Sequence, residues 1–525
     1  MRERRKSADL PLTFRSIWIL VLLSSVAIII AALTRSGIQL SLMHRTLCFI
    51  TVLLNTLAAW VLRRKFGTHC SWRFLLPFFL SLIVAYYLQV VVEPHVPQGC
   101  RAEVAYSAWD AFCTQPDSAS YYFGYQAGST RQPLYPLFIR LVTVGTNFNP
   151  PVWTQQHPVA VAISDPHDPL HKVERAQILL LFGAALAACA TIMTLLNSPL
   201  PAVLFYLLYD FFLFPAWELN QILTEPLVQA WLFLLIAVFL AFLWKRQKFL
   251  LPLAALLCGL LYLTRQAAGY TSLFLAAMIV WGLFSNWRKY WRSSAVSICL
   301  LAGLVAIPDV YGHFKLGKLS AAQDSLQYQY RIAYALQVAQ PQDVAVMADE
   351  KSRIWLLDAL KRREAEHRKV DELCNGDTYC QQVYYIHYNL YFVAMPPGFN
   401  DPNLPEFFMK ISAPILKRHW LAYLAFGFRS WTLGLTQPKV ARFRMLGFSP
   451  WWIYAACFGA VIVLRGRIAF AAATLICGHL SHVALTALFA APIPRMVWAS
   501  EFLVVIAVFL LLWDATERTN YWLMG

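Results

Sequence analysis

The apolar residues of this chain come in blocks whose length matches a lipid bilayer. Ser16–Leu33, Leu47–Leu62, Phe74–Val92, Gln177–Leu196 and Pro226–Trp244 each approach the roughly 20 residues that cross hydrocarbon. Blocks of that length, repeated along the sequence, are too many to be core helices of a water-soluble fold. They lack strand alternation, and lipid leaves no water to satisfy exposed backbone groups, so helices are the spanning form they imply. Composition agrees: 59% of residues are hydrophobic and 14% charged, against about a quarter charged in soluble domains. The expected fold class is an all-α polytopic membrane protein with about 12 transmembrane helices and extracytoplasmic loop regions.

Charge placement orients the chain. The net charge of +16 sits in short tracts at the ends of apolar blocks, which argues against nucleic acid as a partner and for membrane topology signals. Arg4-Arg5-Lys6, Arg63-Arg64-Lys65, Lys245-Arg246, Arg288-Lys289 and Arg465-Gly466-Arg467 all fall on the cytoplasmic side of one topology. In it both termini are cytoplasmic, and the N-terminal block is a first span rather than a removed signal peptide. The organisation reads as three spans in residues 1–92, an extracytoplasmic loop in 93–176, and spans four to nine in 177–310. A large extracytoplasmic segment follows in 311–450, then three spans and a cytoplasmic tail in 451–525. The apolar, Arg429-bearing stretch His419–Leu435 reads as interfacial or re-entrant, because a full span there would put Arg465 and Arg467 outside. Four cysteines fall in the outer segments as two close pairs, Cys100 with Cys113 and Cys374 with Cys380, suiting two local disulfides in an oxidising compartment. The absence of any Asn-x-Ser/Thr sequon fits a bacterial inner (plasma) membrane.

The unusual polar residues gather on the predicted outer face. The first loop carries Asp110 and Pro116-Asp117-Ser118-Ala-Ser-Tyr121, then Arg131-Gln-Pro-Leu-Tyr135-Pro. Asp117 also suits a helix cap, and Leu134–Val144 is short enough to lie along the interface. Thr224-Glu225-Pro226-Leu227 opens the sixth span, and Leu263-Thr264-Arg265 closes the seventh. Pro494-Arg495 precedes the last span, with Glu501 inside it. Arginine outside opposes the positive-inside trend, so Arg131, Arg265 and Arg495 are candidates for binding an anion such as phosphate; the other reading is interfacial snorkelling. His479 and His482 lie on one face of the eleventh span. They read as hydrogen-bonding to neighbouring helices or lining a cavity, with a metal pair or a proton relay as the other reading.

The Asp-Ser-x-x-Tyr, Arg-x-Pro-Leu-Tyr-Pro, Thr-Glu-Pro-Leu and Gly259-Leu-Leu-Tyr-Leu-Thr-Arg265 segments, in that order, resemble the GT-C superfamily of membrane glycosyltransferases. That group includes protein O-mannosyltransferases and lipid A aminoarabinose transferases. The resemblance covers roughly residues 117–284, with a weaker echo at Pro494-Arg495. It implies a polyprenyl-phosphate-sugar donor, a lipid, glycan or protein acceptor, and a catalytic carboxylate in the first outer loop. By motif position that carboxylate is Asp117, with Asp110 in reserve. Arg131, Arg265 and Arg495 would hold the donor phosphate, with Tyr121, Tyr135, Glu225, Glu501, His479 and His482 as further site candidates. The sequence departs from the common pattern in carrying extra helices before the loop and Asp117-Ser118 where two carboxylates usually stand together. The chemistry requires no cofactor, and a divalent metal stays open. The rival readings are an O-antigen polymerase or ligase-like enzyme, a transporter of lipid-linked sugars, and an O-acyltransferase resting on the histidine pair.

Overall fold

The computed structural model describes residues 111–114, 118–122, 132–157, 161–196, 222–316, 324–382, 390–395, 404–436, 450–489 and 494–524. The expected spans 16–33, 47–62, 74–92 and 201–214, together with Cys100, Asp110, Asp117 and Arg131, lie outside the described residues. What is described is mostly helical and divides into two units, one of residues 1–123 and 137–250, the other of 124–136 and 251–525.

The first unit contains β1 (Phe112–Cys113), α1 (Ala119–Tyr122) and, after α2 (Leu134–Val142), which straddles the division, α3 (Pro150–Gln156). β2 (Ala162–Ile163) pairs antiparallel with β1, Phe112 opposite Ile163. Two long helices follow, α4 (Leu170–Leu196) and α5 (Glu225–Lys245), and they pack along one another. α4 begins seven residues before the expected span, 177 against 170. The cause is local: the Leu170 backbone N–H donates to Asp168 Oδ1 at 2.9 Å, which caps the helix early and adds two polar turns that a hydropathy window passes over.

The second unit starts with α6 (Leu250–Thr264), a 3-10 turn at Gln266–Thr271, and α7 (Ser272–Leu316). α7 is broken at Asn286 alone, where the backbone is extended. The Asn286 side chain accepts from the Lys289 N–H at 3.0 Å and so caps the second half. The loop expected between the eighth and ninth spans is therefore a single residue. Helices α8 (Asp324–Val338), α9 (Glu350–Cys374), α10 (Tyr391–Ala394) and α11 (Leu404–Arg418) then build a separate core around Ile332, Leu336, Leu356, Leu360, Phe408 and Ile411. Arg363 Nη1 donates to the Ala339 carbonyl at 2.8 Å and satisfies the exposed end of α8. Buried Asp343 accepts from His419 Nε2 at 2.8 Å and lies 3.4 Å from Arg418, tying the end of α11 to the turn after α8.

α12 (Trp420–Thr436) covers His419–Leu435 and runs antiparallel to the far half of α14 (Gly466–Phe489). Tyr423 pairs with Leu488, and Trp431 Nε1 donates to the Leu480 carbonyl at 3.1 Å. A helix in that register enters beside α14 instead of lying across its end. Its 17 residues reach about 25 Å, against the roughly 30 Å of hydrocarbon. α13 (Pro450–Leu464) and α15 (Pro494–Met524) complete the unit against α14. The last carbonyls of α14 are satisfied by two tyrosines, Tyr334 Oη on Ala487 and Tyr423 Oη on Leu488, each at 2.5 Å.

Among the described residues, four helices are long and apolar enough to cross a membrane: Leu170–Leu196, Glu225–Lys245, Gln266–Val310 and Gly466–Leu488. Leu250–Thr264 and Trp451–Leu464 are shorter apolar helices. Of the expected disulfides, Cys374–Cys380 is formed, with Cα atoms 5.5 Å apart, and Cys113 is disulfide-bonded.

Two stability outcomes follow from α9 and the disulfide at its end. Cys380→Ser removes a short loop closure worth on the order of 2 kcal/mol; hydrogen exchange should quicken over residues 370–382 and stay unchanged in α4. Asp349 caps α9, accepting from Ser352 N at 2.8 Å and Ser352 Oγ at 2.9 Å, and these hydrogen bonds hold its carboxyl below the usual range. A depressed folded value means the cap stabilises above the ordinary carboxylate range and is lost as pH falls through the lowered value. Protection at the first turn of α9, measured against the intrinsic exchange rate at each pH, should fall on acidification in the wild type and be lower, without that pH step, in Asp349→Ala.

Candidate functional site

Each unit holds one cluster of buried polar side chains. In the first, β1 serves as the anchor. The Ile222 N–H donates to the Cys113 carbonyl at 3.3 Å, and Ser118 Oγ donates to the Ile222 carbonyl at 2.8 Å. The segment that carries Ser118 and Tyr121 is thereby stitched to the residues that open α5. Glu225, the first residue of α5, is buried, and Thr224 Oγ1 donates to its Oε2 at 3.3 Å. A carboxylate in the first turn is favoured by the helix dipole. Below it on the same face lies buried Gln229. α4 brings His171, Glu174 and Gln177, at helical spacing and all buried. His171 Nδ1 lies 3.1 Å from Glu174 Oε2, and the edge of Phe112 meets the imidazole at 5.0 Å between centroids. Asp168 also accepts from Trp153 Nε1 at 2.8 Å, which fixes α3 to the start of α4. Two carboxylates, an imidazole and two amides are thus buried near the starts of two packed helices, and buried groups of that kind ordinarily serve a ligand or a proton.

The second cluster sits on α14. His479 Nδ1 is 3.0 Å and His482 Nδ1 2.6 Å from the same hydroxyl, Ser500 Oγ of α15. His479 Nε2 is 3.0 Å from Tyr454 Oη of α13. Tyr270, in the 3-10 turn, stacks on His482 with ring centroids 4.4 Å apart. Arg265 stands half-buried at the head of that turn. Glu501 is buried next to Ser500 in α15. At about 1.5 Å per residue His479 lies about 20 Å from the start of α14 and about 15 Å from its end, near mid-helix.

Four residues singled out in the sequence, Arg265, His479, His482 and Glu501, thus fall in one neighbourhood. Glu225 and Tyr121 are buried in the other unit, and Tyr135 is wholly buried in α2. Arg495 is the second residue of α15, and its side chain is not among those described. Asp117, the expected base, lies outside the described residues; its sequence neighbour Ser118 makes the bond to Ile222. Among the described residues no three or more His, Cys, Asp or Glu side chains are arranged to hold a metal ion. The residues missed from sequence are Tyr454 and Ser500, which carry no helical signature of their own, and His171 with Glu174, whose i,i+3 spacing before an apolar block was the available signal.

Comparison with known proteins finds no matching family model, no matching curated protein and no matching solved structure.

The turn bearing Arg265 depends on a close helix crossing. A Cβ on Gly259 of α6 would come within 2.8 Å of Leu304 Cβ on α7, whereas Gly303 has open space around it. Gly259→Val should therefore cost about 1–3 kcal/mol through overpacking, read as a lower unfolding temperature in detergent. Gly303→Ala should leave that temperature unchanged or raise it.

Proposed function

We propose that the chain is an inverting membrane glycosyltransferase that moves a sugar from a polyprenyl-phosphate donor to an acceptor hydroxyl at the extracytoplasmic face. The observation that carries this reading is the pair of hydrogen bonds from Ile222 to Cys113 and from Ser118 to Ile222. They join the Asp-Ser-x-x-Tyr segment to the Thr-Glu-Pro opening of α5, two of the motifs on which the resemblance to the GT-C superfamily rests. In this reading Asp117 is the base that takes the acceptor proton, with Asp110 in reserve. Arg131, Arg265 and Arg495 hold the phosphate as it departs. That phosphate leaves as a stable anion, so one carboxylate and cationic groups suffice, and attack from the opposite face inverts the anomeric centre. The prenyl tail would run between helices rich in Leu, Phe and Trp. The same reading includes twelve spans, cytoplasmic termini and a bacterial inner membrane.

One observation favours a second reading, a transporter of lipid-linked sugars. The histidine cluster lies near the middle of α14, and transporters gather polar groups at mid-membrane beside interrupted helices. Sugar transfer separates the two. Membranes carrying wild type, Asp117→Asn or Asp110→Asn are given a labelled polyprenyl-phosphate sugar, and label on endogenous acceptors is followed at matched abundance. The expected outcome is transfer by wild type and Asp110→Asn, with loss of at least roughly 100-fold in Asp117→Asn. Loss in Asp110→Asn alone would move the base; no wild-type transfer with any of several donors would favour the transporter.

A further inference from the structure

Ser500 has a single hydroxyl proton and faces two imidazole nitrogens, His479 Nδ1 at 3.0 Å and His482 Nδ1 at 2.6 Å. Its proton can go to one ring or to the Val497 carbonyl at 3.4 Å; when it goes to one ring, the other ring carries its proton on Nδ1 and donates to Ser500 Oγ. The choice propagates. If His479 Nδ1–H donates to Ser500, then Ser500 donates to His482 Nδ1, His482 carries its proton on Nε2, and Tyr454 Oη donates to the bare His479 Nε2. In the opposite arrangement His482 Nδ1–H donates to Ser500, Ser500 donates to His479 Nδ1, and His479 Nε2–H donates to Tyr454 Oη. All three contacts have hydrogen-bond length in either arrangement. The two differ only in which way every proton points, and passing one proton along the chain converts one into the other.

The ends of the chain differ in charge. Glu501, buried, follows Ser500 on α15 at one end, and the turn headed by Arg265 stacks its Tyr270 on His482 at the other. That turn includes exposed Ala267, so it meets the surroundings, whereas His479, His482, Ser500 and Glu501 are 4% exposed or less. The titratable groups set against the chain are Arg265 and Tyr270 from the turn, Tyr454 and Cys457 from α13, and Glu501 from α15. An apolar helix contact would have closed this junction without buried polar groups. We propose that Tyr454, His479, Ser500 and His482 form a proton relay through the helix interior, running between the Glu501 carboxyl and the Arg265 turn.

What the relay serves rests on the glycosyl-transfer reading. There Arg265 holds the donor phosphate. As the bond from the anomeric carbon to the phosphate oxygen breaks, its electron pair stays on that oxygen, and the acceptor oxygen forms the new bond while giving its proton to Asp117. His482 Nε2–H then passes a proton to the phosphate. Ser500 reprotonates His482 at Nδ1, His479 reprotonates Ser500, Tyr454 reprotonates His479 at Nε2, and the Glu501 carboxylic acid reprotonates Tyr454. One proton is delivered, Glu501 is left as carboxylate, and the phosphate product carries one negative charge instead of two. After release, a proton entering at the Arg265 turn restores Glu501 and the chain, and Asp117 gives the acceptor's proton to water.

The full chain, labelled with 15N-histidine in bilayers, tests the relay without any substrate. His479→Gln and His482→Gln assign the two rings by difference. In wild type both rings should exchange the protonated nitrogen together, with one pH midpoint. Ser500→Ala should split that midpoint in two, and Ser500→Thr, which keeps the hydroxyl, should restore it. Rings that hold fixed protonation in wild type, or that share a midpoint unchanged in Ser500→Ala, would overturn the relay. In the sugar-transfer assay Ser500→Ala should lose turnover by roughly 10–100-fold together with the solvent deuterium isotope effect, and Ser500→Thr should recover both. Transfer with fixed rings would sink the relay and leave the transferase reading intact. Rings that titrate together in a chain with no transfer would do the reverse.

Discussion

A bilayer interior offers a polar side chain no partner, so each hydrogen-bonding group carried into these helices must be met by another part of the chain. That single constraint accounts for much of what is seen in both units. Glu225 is approached by Thr224, Glu174 by His171, and the two histidines of α14 by Ser500 and Tyr454. It also shapes the helix ends. The carbonyls that close α14 are reached by tyrosines from α8 and α12, and the second half of α7 starts on the Asn286 side chain. Burial keeps the Tyr334 hydroxyl protonated far above neutral pH, so it is a donor there under all ordinary conditions.

The two polar clusters differ in kind. That of the first unit is built on the starts of α4 and α5, where dipoles point toward the loop and anionic side chains are favoured. That of the second is built on the middle of a helix, where no dipole helps and the partners are uncharged hydroxyls and rings. The first is suited to handling a charged or hydroxylated ligand at a helix end. The second is suited to holding protons in a defined order, which is why a hydroxyl shared between two rings has consequences there that an isolated hydrogen bond would not.

Long apolar stretches were legible in the sequence because hydropathy is additive along a helix: α5, α14 and the first part of α7 fall where the blocks Pro226–Trp244, Ile468–Ala490 and Tyr270–Phe284 lie. The cysteine pair Cys374–Cys380 was legible because six residues of separation leave few other partners within reach. Boundaries set by a single side chain were not. Asp168 starts α4 early and Asn286 replaces a loop, and neither changes hydropathy. His479 and His482 stood out because imidazole is rare in a span, but Ser500 and Tyr454 are ordinary there. Only the packing of α13, α14 and α15 makes them neighbours of the pair. The helical core at 324–418 has no motif; the charged residues 351–369, whose composition reads as a solvated helical face, lie on α9, and its buried partners show no pattern of their own.

The two tyrosine contacts at the end of α14 make that helix a strut between dissimilar bodies. Tyr334 is rooted in the core of α8, α9 and α11, while Ala487, its acceptor, stands five residues beyond His482 on a rigid helix. A load that tilts or lifts the outer helical core must either break a buried hydrogen bond or draw α14 along its axis. Axial displacement of even half a helical turn, under about 3 Å, would take both imidazoles out of reach of a hydroxyl fixed on α15. The placement of the helical core at 324–418 and the continuity of the hydrogen-bonded chain on α14 are therefore mechanically linked.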